Sequence, residues 1–274
     1  MRRLIAWVAG LAAVVLTIAG ALVIRELTGE DARFYHDDFS DGAAPPVPAG
    51  VREVDFETSD HLHLKAWLLG AASPDKTLVL FHGTGATRTQ LVPLANALTS
   101  RGIGVVLSEY RGYGGLPGRP TDDGLFRDGQ AALALARKLS APGANVFVGG
   151  FSLGTVPAVR VAASDRGVRG VVLIGAYTKL ADLPLDRRSF PRSLFFHPRF
   201  AAQDYIGAVT APILAIGSPD DQTVPIAVSE RLLAKASAQH QLLRIPQRSH
   251  VKLVDPVEPA AGAIAKFVDN VSLS

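Results

Sequence analysis

The spacing of apolar residues divides the chain into stretches of different character. Residues 4–24 carry no charge at all, close to the ~20 residues a helix needs to cross a bilayer. Residues 51–58 and 62–68 alternate apolar with polar, which predicts an antiparallel hairpin with one packed face. From residue 76 the pattern becomes short, mostly apolar stretches, at 76–81, 104–107, 146–148, 168–174, 212–217 and 241–245. Such runs suit strands covered on both faces. Helical stretches are expected between them: 89–100, ended by Gly102; one capped by Thr121 and running to about 140; one after residue 152 running to about 165; and a last one at 257–268. Strands that alternate with helices predict an α/β fold, a mostly parallel sheet with helices on both faces.

Residues 176–207 break this rhythm. They hold Pro184, Pro191 and Pro198 together with Phe190, Phe195, Phe196 and Phe200. We expect a small cap there, whose aromatics either line an acyl pocket or cover the core. The expected organisation is an N-terminal membrane anchor at 1–26, a tether at 27–50 and a catalytic domain at 51–274 that includes the cap. Arg2 and Arg3 precede the apolar run and predict a cytoplasmic N-terminus, with the domain on the extracytoplasmic side. Ala19-Gly20-Ala21 could serve as a cleavage site, but the apolar core exceeds the 7–15 residues of a signal peptide, so an uncleaved anchor is favoured. In the tether, Asp37, Asp38 and Asp41 precede Ala43-Ala44-Pro45-Pro46-Val47-Pro48, a composition that runs extended and solvated.

Composition removes several classes of function. The 274 residues include no cysteine, so disulfides, thiolate zinc sites and a cysteine nucleophile are excluded. A formal charge of +3 with no basic run interleaved with aromatics argues against nucleic acid as a partner. His61 and His63 would share one face of a strand, but no carboxylate stands at matching spacing for a metal. Neither metal nor cofactor is expected.

Gly150-Phe151-Ser152-Leu153-Gly154 joins an apolar run to a helical one. G-x-S-x-G in that setting places a serine on a tight strand-to-helix turn with its hydroxyl exposed. A serine hydroxyl needs a base, and the base needs a group that fixes its tautomer. His250 follows the last strand. The loop Gly217-Ser218-Pro219-Asp220-Asp221-Gln222-Thr223-Val224-Pro225 follows the strand before it and offers two aspartates. The N–H of Leu153, at the start of a helix, is a natural donor to an oxyanion.

With these residues in hand, the chain resembles the α/β-hydrolases, and within them the membrane-anchored branch of Bem46-like and ABHD-type serine hydrolases. The order Ser152, aspartate, His250 is that fold's order. His82-Gly83-Thr84 matches its HG-x segment. Glu109-Tyr110-Arg111-Gly112-Tyr113-Gly114 matches D-Y-R-G-Y-G, with Glu in place of Asp. Asp221-Gln222-Thr223-Val224-Pro225 resembles its D-x-x-V-P loop. Counting from Gly217 selects Asp220 as the acid, whereas counting back from Val224-Pro225 selects Asp221; the second spacing is the tighter, and Asp221 is favoured.

The resemblance implies Thr84 as the second oxyanion donor, with the catalytic set Ser152, Asp221 and His250. It implies a serine hydrolase of carboxylic esters or thioesters, acting on an acyl lipid or acylated substrate near the membrane. A peptidase or amidase of the same fold, or a non-catalytic scaffold, is the alternative. His82 is expected to be structural, Arg111 and Tyr113 to hold a loop, His197 to be a surface or packing residue of the cap, and His240 to be solvated.

Overall fold

The computed structural model describes residues 44–184 and 200–273, with the isolated positions Thr17 and Gly20. Its centre is one eight-stranded sheet in the order β1-β2-β4-β3-β5-β6-β7-β8. The strands are β1 (Arg52–Glu57), β2 (His63–Leu69), β3 (Lys76–Phe81), β4 (Gly104–Ser108), β5 (Asn145–Phe151), β6 (Val171–Ile174), β7 (Ile213–Gly217) and β8 (His240–Arg244). β2 pairs antiparallel with both β1 and β4, and every other pairing is parallel. The expected hairpin is therefore the antiparallel edge of an otherwise parallel sheet.

Mostly apolar stretches became the inner strands because both of their faces are covered. Along β3, Leu78 and Leu80 face one core cluster while Val79 and Phe81 face the other. β5 divides the same way, with Val146 and Val148 on one side and Phe147 and Phe151 on the other. The first cluster is closed by α2 (Asp122–Leu139), α3 (Thr155–Ser164) and α4 (Ile226–Leu233). The second is closed by α1 (Val92–Thr99) and α5 (Ala260–Ser272). Each Leu or Ile fully withdrawn from water contributes roughly 1.5–3 kcal/mol, so these layers fix where the strand ends lie.

Local signals explain most boundaries. Thr121 caps α2 by accepting from the Gly124 N–H at 3.0 Å, and Asp122 and Asp123 stand in its first turn, where they complement the helix dipole. The expected helix at 89–100 begins as a 3-10 turn, Arg88–Leu91, and becomes α-helical from Val92. α5 starts three residues later than expected and runs further, because Pro259 occupies the capping position. β6 starts at Val171 rather than 168. α4 was not singled out from the sequence.

The expected cap contributes short 3-10 turns at Leu180–Asp182, Ala202–Asp204 and Ile206–Ala208. Its segment 185–199, with His197, lies outside the described residues, as do Asp37, Asp38 and Asp41. Among the described residues no helix is long and apolar enough to cross a membrane. The apolar run at 4–24 lies outside them, apart from the two isolated positions.

Arg111, in the loop after β4, ties this sheet edge together. Its guanidinium donates to both Asp60 oxygens, at 2.7 and 2.9 Å, and to Asp128 at 2.8 Å. Burial raises the Asp128 carboxyl, against the pull of Arg111. Asp60 sits in the β1–β2 turn. The Arg111 hydrogen bond, helped by the Thr58 hydroxyl, holds it well below the usual carboxylate range. A lowered folded-state pKa gives stability that is present above the unfolded value and is lost as pH falls below it. Asp60→Asn is therefore expected to cost about 1 kcal/mol at neutral pH, roughly 2–4 °C in Tm for a domain of this size. The cost should shrink as pH falls below about 4, where the parent's own carboxylate begins to protonate in the unfolded chain. Melting curves of both proteins from pH 7 down to pH 3 check this; a cost that stays constant with pH would contradict it.

Candidate active site

The parallel strands end in register. Phe81 pairs with Gly150, Phe151 with Ile174, Ile174 with Ile216, and Gly217 with Arg244. The loops that leave β3, β5, β6, β7 and β8 therefore emerge side by side at one edge. After β3 the chain goes to β4 on one side and then returns to β5 on the other. The crevice between β3 and β5 is thus the topological switch point, where open α/β sheets bind their ligands.

Ser152 sits at that point. It follows β5, begins a 3-10 turn (Ser152–Gly154) that leads into α3, and holds φ at +53°. For a residue with a Cβ this conformation costs roughly 1–3 kcal/mol, and the surroundings impose it. A Cβ on Gly150 would lie 2.0 Å from the carbonyl oxygen of Gly154. A Cβ on Gly154 would lie 2.1 Å from the carbonyl oxygen of Phe81 and 2.9 Å from that of His82. Two glycines are needed because backbone meets backbone on both sides of the serine. Thr155 donates its hydroxyl to the Ser152 carbonyl at 2.6 Å, closing the turn. The serine itself is half-buried.

His250 opens a 3-10 turn after β8. Its Nδ1 is 2.7 Å from Asp221 Oδ2. The other carboxylate oxygen of Asp221 accepts from the N–H groups of Thr223 and Val224, each at 2.9 Å. A carboxylate whose oxygens both accept leaves Nδ1 as the donor, so the free lone pair of a neutral ring falls on Nε2. Nε2 is buried and has no hydrogen-bond partner. The ring is held between Phe151, 4.7 Å away between centroids, and Gly175, where a Cβ would lie 2.8 Å from Cε1. Phe151 immediately precedes Ser152, so the imidazole packs directly on the elbow. Neither Phe151 nor Gly175 was singled out as a neighbour of His250; the positive φ of Gly175, +59°, is a demand that a lone glycine after a strand could have signalled.

Asp220 is turned elsewhere. It is exposed, and its Oδ2 accepts from the Gln247 N–H at 2.7 Å. Leu153 is fully buried in the elbow turn, and Thr84 is half-buried in the turn after β3. The Gly154 contact with Phe81 and His82 brings these two segments against each other. Gly83 packs under the elbow too: a Cβ there would meet Phe151 Cδ1 at 3.0 Å. Burial drives the phenols of Tyr110, Tyr113 and Tyr177 above their usual range, so they stay protonated beside this edge. Asp122 is raised by burial, although the Phe200 N–H and Arg160 oppose the shift.

The remaining candidates separate cleanly. Arg111 holds its loop. His240 is exposed and lies 3.0 Å from the Ala238 carbonyl. The expectation that His61 and His63 share one strand face fails. His61 is in the turn with φ +63° and reaches Glu57 at 2.6 Å, while β2 begins only at His63. Among the described residues no group of three potential ligands could hold a metal ion.

Sheet order, elbow and loop positions define an α/β-hydrolase architecture. The family described as "Serine aminopeptidase, S33" matches residues 72–194. Uncharacterized protein Rv2307c of Mycobacterium tuberculosis is 33% identical over 214 residues, 76% of this chain and 75% of that protein. "Lysophosphatidylserine lipase ABHD12" of Danio rerio is 24% identical over 247 residues, 81% of this chain and 61% of that protein. The esterase domain of a Rhodothermus marinus protein shares the fold, with a TM-score of 0.62 at 20% identity, covering 79% of this chain and 97% of that one. The chain belongs to the α/β-hydrolases of the ABHD type. It is a hydrolase of the serine-hydrolase class.

The steric argument at the elbow is open to direct test. Gly154→Ala should cost about 3 kcal/mol or more, because the obstacle is backbone and cannot swing aside. Gly262→Ala, in the first turn of α5 and facing only the flexible tip of Glu258, should be tolerated, within about 1 kcal/mol of the parent. Urea unfolding of the two variants and the parent checks the contrast; equal midpoints would contradict it.

Proposed function

We propose that the protein hydrolyses carboxylic esters or thioesters through an acyl-enzyme formed on Ser152. The observation that carries this reading is the imidazole of His250: Nδ1 is bonded to buried Asp221 at 2.7 Å, while Nε2 is unpartnered beside the elbow that holds Ser152 at φ +53°. A histidine fixed in that tautomer presents a lone pair and nothing else.

In the proposed reaction Ser152 Oγ attacks the carbonyl carbon as its proton moves to His250 Nε2. Asp221 keeps the ring oriented and offsets the imidazolium charge. The carbonyl oxygen becomes an oxyanion, taken up by the N–H groups of Leu153 and Thr84; each such donor is worth roughly 10²–10³ in rate. The intermediate collapses when Nε2–H protonates the leaving alkoxide or thiolate. Water then attacks the acyl-serine with Nε2 again as base, and Ser152 is regenerated with release of the acid.

The substrate is proposed to be an acyl lipid or acylated molecule near a membrane. Residues 4–24, preceded by Arg2 and Arg3, support an anchor with the domain on the extracytoplasmic side. The lipase and esterase names of similar proteins support ester chemistry, whereas the peptidase name of the matching family makes amides the necessary counter-substrates.

A fluorophosphonate probe should label the full chain, and Ser152→Ala should abolish labelling. Asp221→Asn should lower kcat about 10⁴-fold by favouring the wrong tautomer, while Asp220→Asn should change it less than about threefold. Matched ester, thioester and amide panels measure the preference. Labelling that survives Ser152→Ala, or an Asp220 variant that fails while the Asp221 variant does not, would overturn the proposal.

A further inference from the structure

β3 and β4 run side by side as far as Phe81 and Ser108. One residue beyond Phe81, the His82 carbonyl accepts from the Tyr110 hydroxyl at 2.9 Å. The N–H at the other end of the same peptide, that of Gly83, donates to Gln90 Oε1 at 3.3 Å. The cis bonds among the described residues are at Asp255-Pro256 and Glu258-Pro259. His82–Gly83 is trans, so its C=O and N–H point in opposite directions. Two side chains therefore grip one peptide plane from both ends. The reaction described above gives neither of them a role.

Both grips are held in place by their surroundings. Tyr110 is fully buried, its ring stacked 6.3 Å from that of Phe81 and 4.3 Å from that of His82. Burial lifts its phenol well above the usual range, so it remains a donor. Gln90 stands in the 3-10 turn Arg88–Leu91, and its own N–H donates to the Thr87 carbonyl at 3.1 Å. Arg88 anchors that turn. Its N–H donates to Glu109 Oε2 at 3.3 Å, and its guanidinium donates to the Lys65 carbonyl at 3.2 Å and to Glu53 at 2.6 Å. A carboxamide that faces an N–H presents its oxygen, so Gln90 acts on Gly83 as an acceptor.

The gripped peptide is where the two halves of the proposed oxyanion hole touch. A Cβ on Gly154, in the elbow turn that carries the Leu153 N–H, would lie 2.9 Å from the His82 oxygen. A Cβ on Gly83 would lie 3.0 Å from Cδ1 of Phe151, the residue before Ser152. Thr84 comes next, between Gly83 and Gly85, the latter at φ +78°. Glycine on both sides leaves the torsions of this segment loose, so its direction has to be imposed from outside. Two N–H groups from separate segments must also reach one oxygen, each within about 2.7–3.1 Å. We infer that Tyr110 and Gln90 are positioning residues for the oxyanion hole: they fix the His82–Gly83 peptide against the elbow and so set where the Thr84 N–H stands relative to that of Leu153. The inference rests on the serine-hydrolase reading and on those two donors. Without the Tyr110 hydroxyl or the Gln90 oxygen, the plane tilts about the free torsions of Gly83 and carries the Thr84 N–H away from the developing anion. Ser152, Asp221 and His250 stay where they are.

The test uses the full chain and an activated ester. Tyr110→Phe keeps the ring and removes the donor; Gln90→Leu keeps the bulk and removes the acceptor. Each should lower kcat about tenfold, less than the roughly 10²–10³ of a donor lost outright, with KM within about twofold. The inhibition constant of a trifluoromethyl ketone, whose adduct carries the oxyanion, should rise in step with the loss in kcat/KM. The acid limb of the pH profile, set by His250, should keep its midpoint. Tyr177→Phe removes an equally buried hydroxyl that has no partner and should leave kcat unchanged. A folded Tyr110→Phe or Gln90→Leu protein with kcat within threefold of the parent would overturn the inference. So would a loss confined to KM, a shifted acid limb, or an equal loss in Tyr177→Phe. Should Tyr110→Phe not fold, Gln90→Leu, changed at a half-buried side chain, decides alone. Ser152→Ala run alongside separates the two ideas. If turnover in the parent does not depend on Ser152, the hydrolase reading fails; if it does and the two variants are fully active, only the positioning role fails.

Discussion

Backbone touches backbone where the turn after β5 meets the end of β3, and no side chain fits between them. Gly154 lies against the carbonyls of Phe81 and His82, and Gly150 lies against Gly154. That contact forces Ser152 into a positive φ, lifts it to the edge of the sheet and presses its turn against the segment carrying Thr84. The cost of the strained residue is met by the two core clusters on either face of the sheet, whose strands cannot shift along one another without exposing the opposite set of side chains.

The same edge carries two histidine–carboxylate pairs of nearly equal length, 2.7 Å at Asp221–His250 and 2.6 Å at Glu109–His82. Their difference lies in what the second ring nitrogen and its surroundings permit. His250 keeps a buried, unpartnered Nε2 in a side chain that is 11% exposed. His82 spends its Nδ1 on a backbone carbonyl and is closed off by Tyr110 and Tyr113.

The loop after β4 binds these parts into one frame. Arg111 joins it to the β1–β2 turn and to α2. Arg88, buried over Trp67 at 4.4 Å and paired with Glu53 at 2.6 Å, secures the segment that follows the Gly83–Thr84 turn. These charges are all spent internally. They explain why a motif rich in Arg, Tyr and Glu beside the site need not contact a substrate.

Much of this was legible in the order of residues. The inner strands followed from mostly apolar stretches, and β3 has the boundaries its pattern indicated. The elbow was legible because its glycines answer a local steric demand, and the cap of α2 because a threonine serves a helix three residues away. The start of α5 was less so, because prolines at 256 and 259 sit within its apolar pattern and delay it. His61 was misplaced because a two-residue spacing cannot distinguish a strand from the turn that precedes it. The sequence alone determined the fold class, the serine's setting and the order of its candidate partners, since each depends on near neighbours in the chain. Which aspartate meets His250, and that His82 meets Glu109 across the sheet edge, only the tertiary structure decided. Those pairings depend on how loops from different strands turn toward each other, and no spacing along one segment encodes that.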